Sequence, residues 1–188
     1  MAEFYLHHRL SEDIDLFSFS QVNDATVDTF LKEISSPMKI STIKKDQIMS
    51  LFIYKITFDD GEMLKVDFNE YPFEQVERSD VRFGNLAIDS FYDIGINKLY
   101  TILGRLQIRD FVDLYFILQQ GDFSLEQLIG RTNDKFQTTV DCVYLASQFL
   151  RVLDIPKAYP RMIKPFDPKA MVAYFTKQAK ILGEKVIR

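Results

Sequence analysis

Hydrophobic positions change their period along this chain near residue 90. Before that point they mostly alternate, and after it they recur every three to four residues. In "DIDLFSFS", Ile14, Leu16 and Ser18 fall on one side and Asp13, Asp15 and Phe17 on the other, the alternation of a half-buried strand. "NDATVDTFLKEIS" interrupts with a helical stripe of Val27, Phe30, Leu31 and Ile34. Asn23 or Asp24 supplies its N-cap, and Pro37 ends it. Three β-rich segments follow: "MKISTIKK", "IMSLFIYKITF" and "EMLKVDFNEYPF". The last two are joined by "DDG", a hairpin signal. In the third, Leu64, Val66 and Phe68 share one face, and Lys65, Asp67 and Asn69 share the other. A short strand is expected at "LAID".

From about Ser90 the pattern is helical. "SFYDIGINKLYTILGRL" places Ile96, Leu99, Ile102, Leu103 and Leu106 on a core face, and "RDFVDLYFILQQ" stops at Gly121. "SLEQLIGRTNDKF" and "TVDCVYLASQFLRVL" read as two further helices. Four of the six prolines fall within residues 154–168, which predicts a stiff, extended connector. Asp167-Pro168 then opens a last helix running to about residue 187. At the other end, "AEFYLHH" has the look of the final turns of a helix. A β-rich first half before an all-helical second half predicts an α+β architecture with two domains, residues 1–89 and 90–188.

Composition narrows the class. With 47% hydrophobic and 14% aromatic residues the chain can build a sizeable core, and few prolines and glycines argue against disorder. The balance of 23 basic against 27 acidic residues gives no bulk signal for nucleic acid, so any basic patch has to be local. Cys142 is the single cysteine, so an internal disulfide is excluded. No apolar run approaches the roughly 18 residues of a membrane span. The expectation is a cytoplasmic protein that does not enter a membrane.

Two stretches could carry chemistry. Asp13 and Asp15 sit at i and i+2 on a strand, which sets them on one face about 6–7 Å apart. Carboxylates so placed can bracket one or two hard cations, and Asp67 on a neighbouring strand is a candidate third ligand. The bland alternatives are a charged strand start for the pair and a solvated strand face for Asp67. In "NKLYTILGRLQIRDFVDLYFIL", Lys98, Arg105 and Arg109 line one stripe if the helix is continuous, a set suited to a triphosphate. Here the alternative is a solvated face, with Arg109 and Asp113 as an i,i+4 ion pair and Asp110 placed to favour a helix N-terminus. Among lesser candidates, His7 and His8 diverge too far to share one metal, and Cys142 is expected to be buried and inert. Lys169, Lys177, Lys180, Lys185 and Arg188 give the last helix a basic face, read as solvated or as an RNA-backbone contact.

Taken together, "HRLSEDIDLFS" and, some ninety residues later, "NKLYTILGRLQIRDFVDLYFIL" resemble the AbiEii/AbiGii toxin family of nucleotidyltransferases. The resemblance spans about Phe4 to Leu118, with a similar helical tail. It implies a small mixed sheet of the polymerase-beta nucleotidyltransferase type, followed by a helical lobe. Asp13 and Asp15 match the family's metal-binding D-x-D, and Arg9 and Ser11 match the basic and small polar positions before it. Lys98 matches a lysine expected to contact nucleotide phosphates, with Arg105 beside it. Arg109, Asp110 and Asp113 match R-D-x-x-D, where an aspartate is a catalytic base or a structural anchor. The likeness implies Mg²⁺ or Mn²⁺ as cofactor and a nucleoside triphosphate as substrate. It implies an RNA or protein hydroxyl as acceptor of the nucleotide and a cognate antitoxin as partner, in toxin–antitoxin or phage-defence systems. The family's D-x-D follows a helix that begins Gly-Gly-Ser/Thr, whereas Met1 here falls inside the corresponding helix. The expectation is a truncated start, or a member without that phosphate-cradling turn. In the latter case the alternative function is a catalytically impaired nucleotide- or antitoxin-binding module.

Overall fold

The computed structural model describes residues 2–186. The fold is α+β, with a mixed four-stranded sheet in the first half and helices throughout the second. Arg188 lies outside the described residues. The chain forms two compact units: one is Ser11–Glu74, and the other joins the residues up to Leu10 with those from Gln75 on.

The first unit is the sheet with one helix. Strands β1 (Asp13–Ser18), β2 (Ile40–Ile48), β3 (Leu51–Phe58) and β4 (Met63–Glu70) stand in the order β1-β4-β3-β2. β1 runs parallel to β4, and the other pairs are antiparallel. The "DDG" hairpin forms as expected, with Gly61 at φ 88° and its N–H bonded to the Phe58 carbonyl at 3.0 Å. Helix α1 (Asp24–Ser35) starts at Asn23, whose side chain accepts the Thr26 N–H. Its Val27 and Leu31 pack on Phe52, Tyr54, Ile56 and Val66, with Leu16, Ile34, Leu64 and Phe68 partly buried around them. The Tyr54 hydroxyl donates to Asp28 at 2.7 Å, and Lys45 reaches Asp24 and Asp28, so the helix is tied to the sheet by polar contacts as well. Phe30 does not join this core. It is 53% exposed, because it lies at the flank of the α1 stripe and overlooks a surface depression beside Thr26 and Glu33.

One sheet face is therefore committed to α1. The period of two forces Asp13, Asp15, Lys65, Asp67 and Asn69 onto the other.

In the second unit a short π-helical segment, Ala2–Leu6, ends at His7, whose backbone is left-handed at φ 47°. His8 to Leu10 then run beside the proline-rich connector. Arg9 bridges Met162, Leu10 N–H bonds to the Arg161 carbonyl, and Ile163 N–H bonds to the His8 carbonyl. The expected strand at "LAID" is present as β6 (Leu86–Ala87), paired with β5 (Arg82–Phe83). Helices α2 (Phe91–Gly104), α3 (Ile108–Gln120), α4 (Leu125–Phe136), α5 (Cys142–Leu150) and α6 (Pro168–Val186) follow. Ile96, Leu99, Ile102, Phe111, Leu114, Ile117, Leu128, Leu145, Phe149 and Phe175 are fully buried among them. Leu103 and Leu106 are only half-buried, and so is Cys142, whose neighbours Val143 and Tyr144 are exposed. Gly95 permits close helix packing, since a Cβ there would stand 3.2 Å from both Ile117 and Leu128 side chains. No helix among the described residues is long and apolar enough to cross a membrane.

Asp93 pins the start of this helical region. Fully buried, it accepts Val76 and Glu77 N–H and the Ser90 hydroxyl, and pairs with buried Lys135 at 2.7 Å. Asp93→Ala leaves the Lys135 ammonium buried without its carboxylate, and should destabilise the protein by about 3–5 kcal/mol. Urea unfolding midpoints of wild type and variant would measure this.

Candidate functional site

Two clusters of charged side chains emerge, one in each compact unit. In the sheet unit, parallel pairing sets Asp15 beside Asp67 and Asp13 beside Lys65. Asp13, Asp15 and Asp67 thus occupy neighbouring positions on the face turned away from α1. Asp15 is exposed, while Asp67 is largely buried. The Lys65 ammonium stands 2.6 Å from Asp67 Oδ2 and 3.7 Å from Asp13 Oδ2. The other carboxylate oxygen of Asp67, Oδ1, is buried and has no hydrogen-bond partner. Buried carboxylate oxygens are normally satisfied, so this one stands out. Among the described residues no three His, Cys, Asp or Glu side chains are close enough together to hold an ion already. Ser11, exposed just before β1, donates to the Asp13 carbonyl at 3.2 Å.

The helical unit holds the second cluster. Its centre is Asp113 on α3, fully buried. Arg9 grips it through two bonds, Nε to Oδ1 at 2.7 Å and an Nη to Oδ2 at 2.9 Å. His8, also fully buried and tilted against the Phe116 ring, donates from Nε2 to Oδ1 at 2.9 Å, and its Nδ1 has no hydrogen-bond partner. Lys98 on α2 reaches Asp113 Oδ2 and Asp110 Oδ1, each at 2.9 Å. Arg105 closes on Asp110 with Nε at 3.0 Å and an Nη at 3.2 Å. Arg9, Lys98 and Arg105 thus converge on two carboxylates, Asp110 and Asp113.

The electrostatics follow from this crowding. Burial alone pushes the Asp113 carboxyl up, but the Arg9 and His8 hydrogen bonds and the Lys98 charge outweigh it and hold the group far below the usual carboxylate range. Burial likewise pushes Asp110 up, and the Lys98 charge with the Arg105 hydrogen bond brings it below its ordinary value. Both aspartates are locked in the ionised form, so neither is poised to exchange a proton near neutral pH.

The expected basic stripe on a continuous helix does not exist. α2 ends at Gly104, Arg105 is extended at φ −147°, and α3 starts afresh at Ile108. The break brings Arg105 back onto Asp110 in the first turn of α3. Arg109 follows the break and donates to the Gln107 side chain at 2.9 Å. Lys98 and Arg105 thus meet through a shared aspartate. His8 and Lys65 carry more of these clusters than the sequence reading gave them. Lys65 was visible in "KVD", two residues before Asp67 and hence on its face. His8 has no local signal, since its partner lies 105 positions away.

A family model described as "Nucleotidyl transferase AbiEii toxin, Type IV TA system" matches residues 1–177. No curated protein and no solved structure matches the chain.

A carboxyl depressed on folding stabilises the fold fully above its unfolded value near 4, and that contribution disappears as pH falls toward the folded value. Thermal midpoints should therefore drop between about pH 5 and pH 2, with Asp113 a principal cause. Asp113→Asn should be less stable at pH 7 by about 3–5 kcal/mol, and its midpoint should vary less with acid than that of wild type. Calorimetric scans across that range would check both.

Proposed function

This chain belongs to the AbiEii nucleotidyl transferase toxin family, and from that premise we propose that it is a metal-dependent nucleotidyltransferase acting on a nucleoside triphosphate. One observation carries the metal part of the reading. Three carboxylates share a sheet face, and the buried Oδ1 of Asp67 lacks any partner. An all-carboxylate donor set suits a hard cation such as Mg²⁺ or Mn²⁺, and an orphaned oxygen on that face is accounted for if it becomes a ligand. Asp13, Asp15 and Asp67 would hold the ion. Bound there, it would neutralise phosphate charge as a Lewis acid.

The remaining roles fall to the chain's own residues. An acceptor hydroxyl, on RNA or protein, attacks the α-phosphorus and gives up its proton to water; the bond to the bridging oxygen breaks and pyrophosphate leaves. Lys98 and Arg105, partly exposed on their cluster in the helical unit, are cationic groups of the kind that bind phosphate oxygens. Arg9 is committed to Asp113 through both sides of its fork, so its part is to secure that aspartate. Asp110 and Asp113 are positioning residues. They hold the lysine and the arginines in place and stay ionised, which does not suit a general base. A cognate antitoxin is the partner that family membership suggests.

Titration calorimetry with each nucleoside triphosphate and Mg²⁺ should give saturable binding in wild type and none in Asp13→Asn, with circular dichroism unchanged. Transfer of label from α-³²P-labelled nucleotide to cellular RNA or protein should likewise vanish in that variant. Binding without transfer in wild type would favour the interaction-module reading, and undiminished transfer by Asp13→Asn would reject the metal assignment.

A further inference from the structure

Lys65 sits where a metal-binding face would ordinarily be kept free of cations. It is the register partner of Asp13 across the parallel pair and lies two positions before Asp67 on the same face of β4. Its ammonium contacts Asp67 Oδ2 at 2.6 Å and Asp13 Oδ2 at 3.7 Å. Asp67 is 14% exposed and Lys65 33%, so the pair lies partly out of water. Three carboxylates on adjacent positions repel one another when nothing positive stands among them. The ammonium relieves that repulsion and, in doing so, stands between two of the three groups that would have to close on an ion.

We propose that Lys65 is a resident counter-ion for the acidic face, and that a divalent cation binds only by displacing it from Asp67. This deepens the metal-site reading above and rests on it. Lysine suits such a part. Its charge is compact, its stem is flexible, and its exposed third leaves it room to swing outward. Once released it is a free cation beside the site, available to the oxygens of an arriving triphosphate. Metal and nucleotide then help each other bind, because each offers a new partner to one half of the broken ion pair. The chain alone would hold metal weakly, and the chain with nucleotide would hold it well.

The test is Mn²⁺ binding to the full chain without nucleotide, followed by electron paramagnetic resonance of the free ion. Removing the competing ammonium should tighten Mn²⁺ binding about tenfold in Lys65→Met, and comparably in Lys65→Gln. Asp67→Asn should bind more weakly than wild type. Adding a non-hydrolysable nucleotide should tighten binding more in wild type than in Lys65→Met. Equal or weaker Mn²⁺ binding by both Lys65 variants, with circular dichroism unchanged, overturns the counter-ion role while leaving the metal site standing. Absence of Mn²⁺ binding in wild type and variants alike, with or without nucleotide, overturns the metal reading itself and this inference with it.

Discussion

A buried carboxylate gripped by an arginine, a lysine and a histidine organises the helical unit. Asp113 has no exposure of its own and would be a severe liability if unpaired. Arg9, His8 and Lys98 turn it into an anchor that joins the start of the chain, α2 and α3 at one point. Buried ion clusters of this kind contribute little net stability compared with apolar packing of equal volume, but they tolerate few alternatives. Placing Lys98 on Asp113 and Asp110 fixes its ammonium to within the geometry of two hydrogen bonds. Arg105, brought round by the helix break, completes the set. The cluster is thus a means of holding positive charge still.

The sheet unit uses the opposite strategy. There the alternation of a strand separates duties by face. Leu16, Leu64, Val66 and Phe68 pack beneath α1, and the intervening residues are left for polar work. Nothing about Asp13, Asp15 and Asp67 is needed to build the core, so the face can carry charge that a packed layer could not. Among the described residues, Oδ1 of Asp67 is a buried oxygen on this face with no hydrogen-bond partner.

Much of this was written locally in the chain. The strands, the "DDG" hairpin, the Asn23 cap and the stop at Gly121 follow from period, turn chemistry and capping, each encoded within a few residues. The acidic face was legible for the same reason, since i and i+2 on a strand share a side. Other features depend on contacts with no local trace. The helix break at Arg105 is masked because Leu106 and Ile108 keep the apolar rhythm going through it. The pairing of Lys65 with Asp13 requires the parallel register of β1 and β4. That His8 and Arg9 complete a site on α3 depends on pairing across more than a hundred positions. Phe30 shows the converse error, a residue near the right stripe whose flank position leaves it in solvent.

The short antiparallel contact between His8–Leu10 and residues 161–163 bears on how the protein is made. Synthesis proceeds from the amino end, so the first ten residues leave the ribosome long before the segment they lie against. Until the proline-rich connector has been made, His8 and Arg9 can meet Asp113 but lack the backbone pairing with residues 161–163 that holds their segment in place. A chain cut short before that connector lacks the strap beside His8–Leu10.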